Sequence, residues 1–147
     1  MNTTNVLEAE MEEANEQKVR RLIEEVFNRG NLEVADEIIS PACKEHQRLD
    51  HQFPPGSQSA KAVSSSLRSM FSDFSLSIED IVARDDKVWL RMKGKGTNTG
   101  GVMGHPPTGK KVEVDVIDIC RFENGKMVEH WGVPDQLGMM EQIGLLQ

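Results

Sequence analysis

The chain has 147 residues, enough for one domain with a substantial core and too few for two comfortable ones. Its 24 acidic and 17 basic side chains give a formal charge of -7, and no Lys/Arg-rich run offsets it, so nucleic acid is not an expected partner. Two cysteines far apart, no histidines at metal-ligand spacing and no apolar run near the roughly 18 residues of a membrane span argue against a disulfide framework, a metal and a membrane partner.

Cys43 and Cys120 read as reduced, buried thiols, and the polar, acidic start lacks the basic n-region and apolar run of a secretory signal, so a cytoplasmic protein is expected. Residues 1–14 carry Glu8, Glu10, Glu12 and Glu13 without a sustained apolar stripe; they read as a flexible acidic arm or as an extension of the first helix, ahead of one domain at 15–147. From Lys18, the residues Val19, Leu22, Ile23, Val26 and Phe27 recur at helical spacing, and Gly30 supplies a left-handed stop. Asn31 can cap a second helix with Leu32, Ala35, Ile38 and Ile39 inward, ending at Ser40-Pro41 because proline disfavours helix in the residue before it. Beyond a loop holding Phe53-Pro54-Pro55-Gly56, Ser57 can cap a third helix that buries Val63, Leu67, Met70 and Phe71.

The period then changes from 3.6 to 2. Phe74, Leu76 and Ile78 alternate with serines, Asp85-Asp86 makes a turn, and Val88, Leu90 and Met92 alternate with Trp89, Arg91 and Lys93. A Gly-rich loop, Gly94 to Gly109, leads to a long strand, Lys111 to Phe122, and Asn124-Gly125 turns it into another, Lys126 to Val133. Asp135 can cap a last short helix carrying Leu137, Met140 and Ile143. Helices first and a meander afterwards predict an α+β fold. Gly104 to Lys110 spells G-x-x-x-x-G-K, but Lys111 follows where Ser or Thr is needed, and a strand follows where a phosphate loop needs a helix.

The last hairpin admits two registers. A two-residue type I′ turn at Asn124-Gly125 pairs Glu123 with Lys126 and sets Asp118 opposite Trp131. A type I turn with Gly125 in a left-handed bulge pairs Phe122 with Lys126 and sets Asp118 opposite His130. The second is preferred because it gives the carboxylate an imidazole partner. It puts Val114, Val116, Asp118, Cys120, Val128, His130 and Gly132 on one face, and Ile117, Ile119, Met127, Trp131 and Val133 on the other. The second face is too apolar for a monomer surface, which predicts a homodimer through Ile117, Ile119 and Trp131.

Gly96-Thr97-Asn98-Thr99-Gly100, Gly104-His105-Pro106-Pro107-Thr108-Gly109-Lys110, Arg121-Phe122-Glu123-Asn124-Gly125-Lys126 and Glu129-His130-Trp131-Gly132-Val133-Pro134-Asp135 follow in that order, after a helix ending Phe27-Asn28-Arg29-Gly30. From about residue 17 onward this series resembles the SnoaL-like polyketide cyclases and ester cyclases. The resemblance implies the cone-shaped cystatin-like fold shared with nuclear transport factor two and ketosteroid isomerase, three N-terminal helices packing on a curved antiparallel sheet. It implies positions 118 and 130 aimed into the cone, and an intramolecular aldol ring closure on a polyketide methyl ester without metal or organic cofactor. The family's acid/base Asp, two residues after the histidine matching His130, falls at Gly132, and its pocket histidine falls at Asp118.

Removing a proton beside a carbonyl needs a base, and Asp118 is the candidate, with His130 holding a substrate oxygen or polarising a carbonyl. The alternative is a buried pair in which the two satisfy each other. His46, Val88, Leu90, Met92, Val114, Val116 and Gly132 are the expected substrate contacts. Gln47 is placed with His46 at the mouth, as ligand contact or polar rim, while His51 and His105 are read as structural or solvent-exposed. The reading is a cofactor-free cyclase or isomerase acting on a small, largely apolar carbonyl compound. Two non-enzymatic readings stand beside it: a small-molecule-binding pocket and a dimeric interaction module.

Overall fold

The structure, a computed structural model, describes residues 2–47 and 53–146; His51 lies outside them. Helix α1 spans Thr3–Arg21, so residues 3–14 are the first turns of the opening helix, and it runs on into a π-helical stretch, Leu22–Asn28. Gly30, at φ 72°, ends it in the left-handed region. Short α2 (Val34–Ile38) follows, starting later than a cap at Asn31 would place it, and passes directly into β1 (Ile39–Glu45). Helix α3 is Ser57–Met70. Strands β2 (Ser75–Arg84), β3 (Lys87–Thr97), β4 (Lys111–Glu123) and β5 (Lys126–Pro134) precede α4 (Gln136–Gln142).

The fold is α+β, with N-terminal helices on a curved five-stranded sheet in the order β1-β5-β4-β3-β2. Four strands form the expected antiparallel meander, but β1 adds a parallel edge beside β5. The sequence reading placed a loop here. Its register slips between Ile39 and Lys44, with Pro41 in the irregular part, where an edge strand tolerates a missing N–H. Val19, Leu22, Ile23 and Val26 pack against Val88, Leu90, Phe122 and Met127 as the main core. Phe71, Val102, Val112 and Ile143 make a second cluster.

Two expected caps moved and one held. Gly56, not Ser57, is the N-cap of α3, and the Ser57 hydroxyl donates to Asp36 Oδ1 at 2.7 Å. A side chain at position 56 would meet the Pro41 carbonyl oxygen at 2.4 Å, so glycine is set there by both contact and φ of 70°. Asp135 caps α4, accepting from the Gly138 N–H at 2.9 Å.

The last hairpin combines the two readings. Asn124 and Gly125 have φ of 50° and 76°, the signature of a type I′ turn, and Glu123 pairs with Lys126. The bulge lies further along, between Arg121 and Phe122 on β4: Phe122 faces Met127 while Arg121 faces Glu129, leaving Val128 as the extra residue. The preferred bulge at Gly125 is therefore incorrect, as is Asp118 directly opposite His130. The extra residue advances the register so that Asp118 lies opposite Gly132 and Cys120 opposite His130. Met127 consequently points into the core, 2% exposed, and not to the outer face.

The turn predicts a measurable cost. Gly125→Ala must hold a side chain at positive φ and against Lys18 Nζ, 3.0 Å from the new Cβ. Chemical denaturation is expected to show about 1–2 kcal/mol of destabilisation; an unchanged midpoint would contradict the type I′ geometry.

Candidate active site

Helices and sheet enclose a cavity of about 560 Å³. Leu90, Met92, Val114 and Val116 form its sheet wall. Val63 and Leu67 of α3 line the opposite wall and are half-buried, because they face the cavity and not the packed core. Polar side chains gather at one part of the lining: Glu45, Gln47, Asp118 and His130.

The strand order explains that gathering. His130 of β5 has Glu45 as its β1 neighbour and Cys120 as its β4 neighbour, all on the inner face. Its Nδ1 lies 2.8 Å from both oxygens of Glu45, and its Nε2 lies 3.2 Å from Asp118 Oδ2. The imidazole is thus bracketed by carboxylates from the strands on either side. Burial alone would lower its pKa, but the hydrogen bonds to Asp118 and Glu45, with their charges, outweigh that and raise it to about 10. That shift favours the imidazolium at neutral pH, with both ring nitrogens able to donate to the flanking carboxylates.

Asp118 holds this cation with Oδ2, while Oδ1 is buried and has no hydrogen-bond partner among the described residues. Gly132 is not part of the cavity surface, because Gln47 lies over it: an added Cβ would stand 2.3 Å from Gln47 Oε1 and 2.9 Å from Asp118 Oδ1. Two other expected contacts also lie elsewhere. Val88 is fully buried in the core against Cys120, deeper than the cavity wall. His46 points to the outer face, where it stacks on Trp131 with ring centroids 4.7 Å apart and its Nε2–H donates to Glu129 Oε2 at 2.6 Å. The alternation of β1 continues one residue past its end, where the His46 N–H donates to the His130 carbonyl at 2.9 Å, and Glu45 and Gln47 on either side line the cavity.

Cys43 and Cys120 are both free and buried, and burial raises the Cys43 pKa to about 11 and that of Cys120 well above its ordinary value. His105 is exposed, and β4 begins at Lys111, so Gly104–Lys110 opens no helix. Among the described residues no group of three or more His, Cys, Asp or Glu side chains is placed to hold a metal ion, and no helix is long and apolar enough to cross a membrane. Glu45 is the site residue that sequence reasoning missed. Its signal was the inward alternation Cys43, Glu45, Gln47, hidden behind Pro41.

A family model described as SnoaL-like polyketide cyclase matches residues 17–143. The chain belongs to that family. Aklanonic acid methyl ester cyclase DnrD of Streptomyces peucetius is 29% identical over 129 residues, covering 86% of this chain and 88% of that protein. Nogalonic acid methyl ester cyclase of Streptomyces nogalater is 25% identical over 120 residues, covering 80% and 89%. Among solved structures, IdmH of Streptomyces antibioticus matches with a TM-score of 0.77 at 31% identity, covering 88% of this chain and 98% of that one. TsrD from Streptomyces laurentii matches with a TM-score of 0.77 at 28% identity, covering 88% and 97%.

The clamp has a pH consequence. Because His130 has a folded pKa above its ordinary 6.5, its contribution to stability is full below about pH 6.5 and is lost as pH rises toward about 10. Thermal unfolding is expected to show the melting temperature falling over that window, with a flatter profile in His130→Gln. Parallel profiles for the two proteins would contradict the clamp.

Proposed function

We propose that this SnoaL-like protein is a cofactor-independent acid-base catalyst of the cyclase or isomerase type, acting on a small, largely apolar, uncharged carbonyl compound. The observation that carries this is the asymmetry of Asp118. One oxygen is held by the His130 imidazolium, and the other is buried and unpartnered among the described residues, in a side chain that lines the cavity. A carboxylate so held has a fixed orientation and a free lone pair with which to take a proton beside a carbonyl. Glu45 and His130 act as positioning residues. The described cavity lining contains no Lys or Arg to balance a ligand carboxylate, so a ketone or ester fits better than a free acid. The curated relatives are named as methyl ester cyclases, which makes aklanonic and nogalonic acid methyl esters the first substrates to assay.

Gly132 favours a second reading, a pocket that binds without turnover, because the family acid/base position carries no side chain. Asp118→Asn is expected to lower turnover of an accepted ester at least about 100-fold while the dissociation constant changes little. Unchanged turnover would remove Asp118 from the mechanism. Ester binding without turnover in the unaltered protein would establish the second reading.

We also propose a homodimer through the outer sheet face. Ile117 is 52%, Trp89 47% and Val82 56% exposed there, beside half-buried Ile119 and Trp131, and closed two-fold pairing is the commonest way to cover such a patch. Light scattering at micromolar concentration is expected to give the dimer mass, with Ile117→Glu shifting it to monomer. A monomer at that concentration would refute this interface.

A further inference from the structure

Gly132 is not a glycine for backbone reasons, since it is absent from the residues at positive φ. What stands in the place of a side chain there is Gln47. The missing Cβ would lie 2.3 Å from its Oε1 and 3.0 Å from its Cδ, so the Gln47 carboxamide occupies the space that a side chain at position 132 would use. The same Cβ would lie 2.9 Å from Asp118 Oδ1, which puts the carboxamide and the free oxygen of Asp118 around one small volume. Gln47 is tied to the cluster through its backbone, whose N–H donates to Glu45 Oε1 at 2.8 Å, the same oxygen that lies against His130 Nδ1. It also lines the cavity.

We propose that the Gln47 carboxamide binds the substrate's carbonyl oxygen beside Asp118, an assignment that rests on Asp118 being the base. The cluster already holds two carboxylates for one imidazolium, so a third carboxylate at position 132 would add unbalanced negative charge where charge must develop on the substrate. A carboxamide is neutral and carries two N–H donors, and rotation about Cγ–Cδ turns either of its ends toward the ligand. When Asp118 Oδ1 takes the proton from the carbon beside the carbonyl, the C–H pair enters the new C=C bond. The carbonyl π pair moves to oxygen, which accepts the Gln47 N–H. The enolate carbon then bonds to a second carbonyl carbon, whose oxygen takes the proton back from Asp118. No oxidant, reductant or co-reactant is needed, and the base is regenerated.

The test uses two aromatic probes of nearly equal size, 2-naphthol, whose hydroxyl stands for the enol oxygen, and naphthalene, which lacks it. Fluorescence titration of the full chain is expected to show tighter binding of 2-naphthol than of naphthalene. Gln47→Leu is expected to weaken 2-naphthol about tenfold, the worth of one hydrogen bond, and to leave naphthalene unchanged. Gln47→Met, which keeps the length without a donor, serves as the second variant. Gly132→Ala is expected to weaken 2-naphthol in the same sense by displacing the carboxamide, and to add nothing in a Gln47→Ala background. Unchanged 2-naphthol affinity in both Gln47 variants would overturn the assignment, and so would equal losses for the two probes, which mark a residue that only fills space. If Asp118→Asn alone abolishes the preference for 2-naphthol, Gln47 fails as the oxygen's partner, and the turnover of Asp118→Asn separately decides whether Asp118 is the base. Failure of the unaltered protein to bind either probe would remove the apolar pocket and this assignment together.

Discussion

An imidazolium half-buried between two carboxylates is the constraint around which the inner face is arranged. His130 reaches Glu45 only because β1 lies parallel beside β5, and it reaches Asp118 only because β4 lies on the other side in a register one bulge away from that of the turn. Three strands are thereby committed to one another at a single point. A cluster of this kind is a poor source of stability, because the cost of removing the charges from water offsets most of their attraction. Apolar residues of similar volume would pack there as well. Its effect is to hold one carboxylate oxygen still and leave the other without a hydrogen-bond partner among the described residues, at the edge of an apolar cavity.

The fold was legible because its signals are local. The stripe from Val19 to Phe27, the alternation in β2 and β3, the Asn124-Gly125 turn and the Asp135 cap each depend on neighbours in sequence, and each appears where its pattern places it. The family motifs add the cone and orient Asp118 and His130 inward. The inward parity survived an incorrect register, because the bulge at Val128 shifts pairing by two residues from the preferred reading and a shift of two keeps every β4 side chain on its face. Met127 did not share that protection, lying between the turn and the bulge.

What the sequence hid was non-local. A parallel edge strand has no turn to announce it, and Ser40-Pro41 suggests an ending where the chain changes from α2 to β1. With β1 unread, Glu45 had no place and His46 was aimed at the cavity; the alternation of β1, carried past its end by the His46 N–H donating to the His130 carbonyl, sends Glu45 inward and His46 outward onto Trp131. The same omission left Gly132 looking like a gap in the machinery. In the folded chain that gap is occupied by Gln47, a contact between residues far apart in sequence that no local pattern encodes.

The inner and outer faces of the sheet therefore divide the chemistry: a charged cluster against an apolar cavity on one side, and exposed aliphatic and aromatic side chains on the other. The bracketing of the ring by Glu45 and Asp118 depends on His130 carrying its second proton. Nitrogen-15 NMR of the imidazole at pH 8 tests this most directly. Two protonated ring nitrogens are predicted, and a neutral ring with one bare nitrogen would contradict the account.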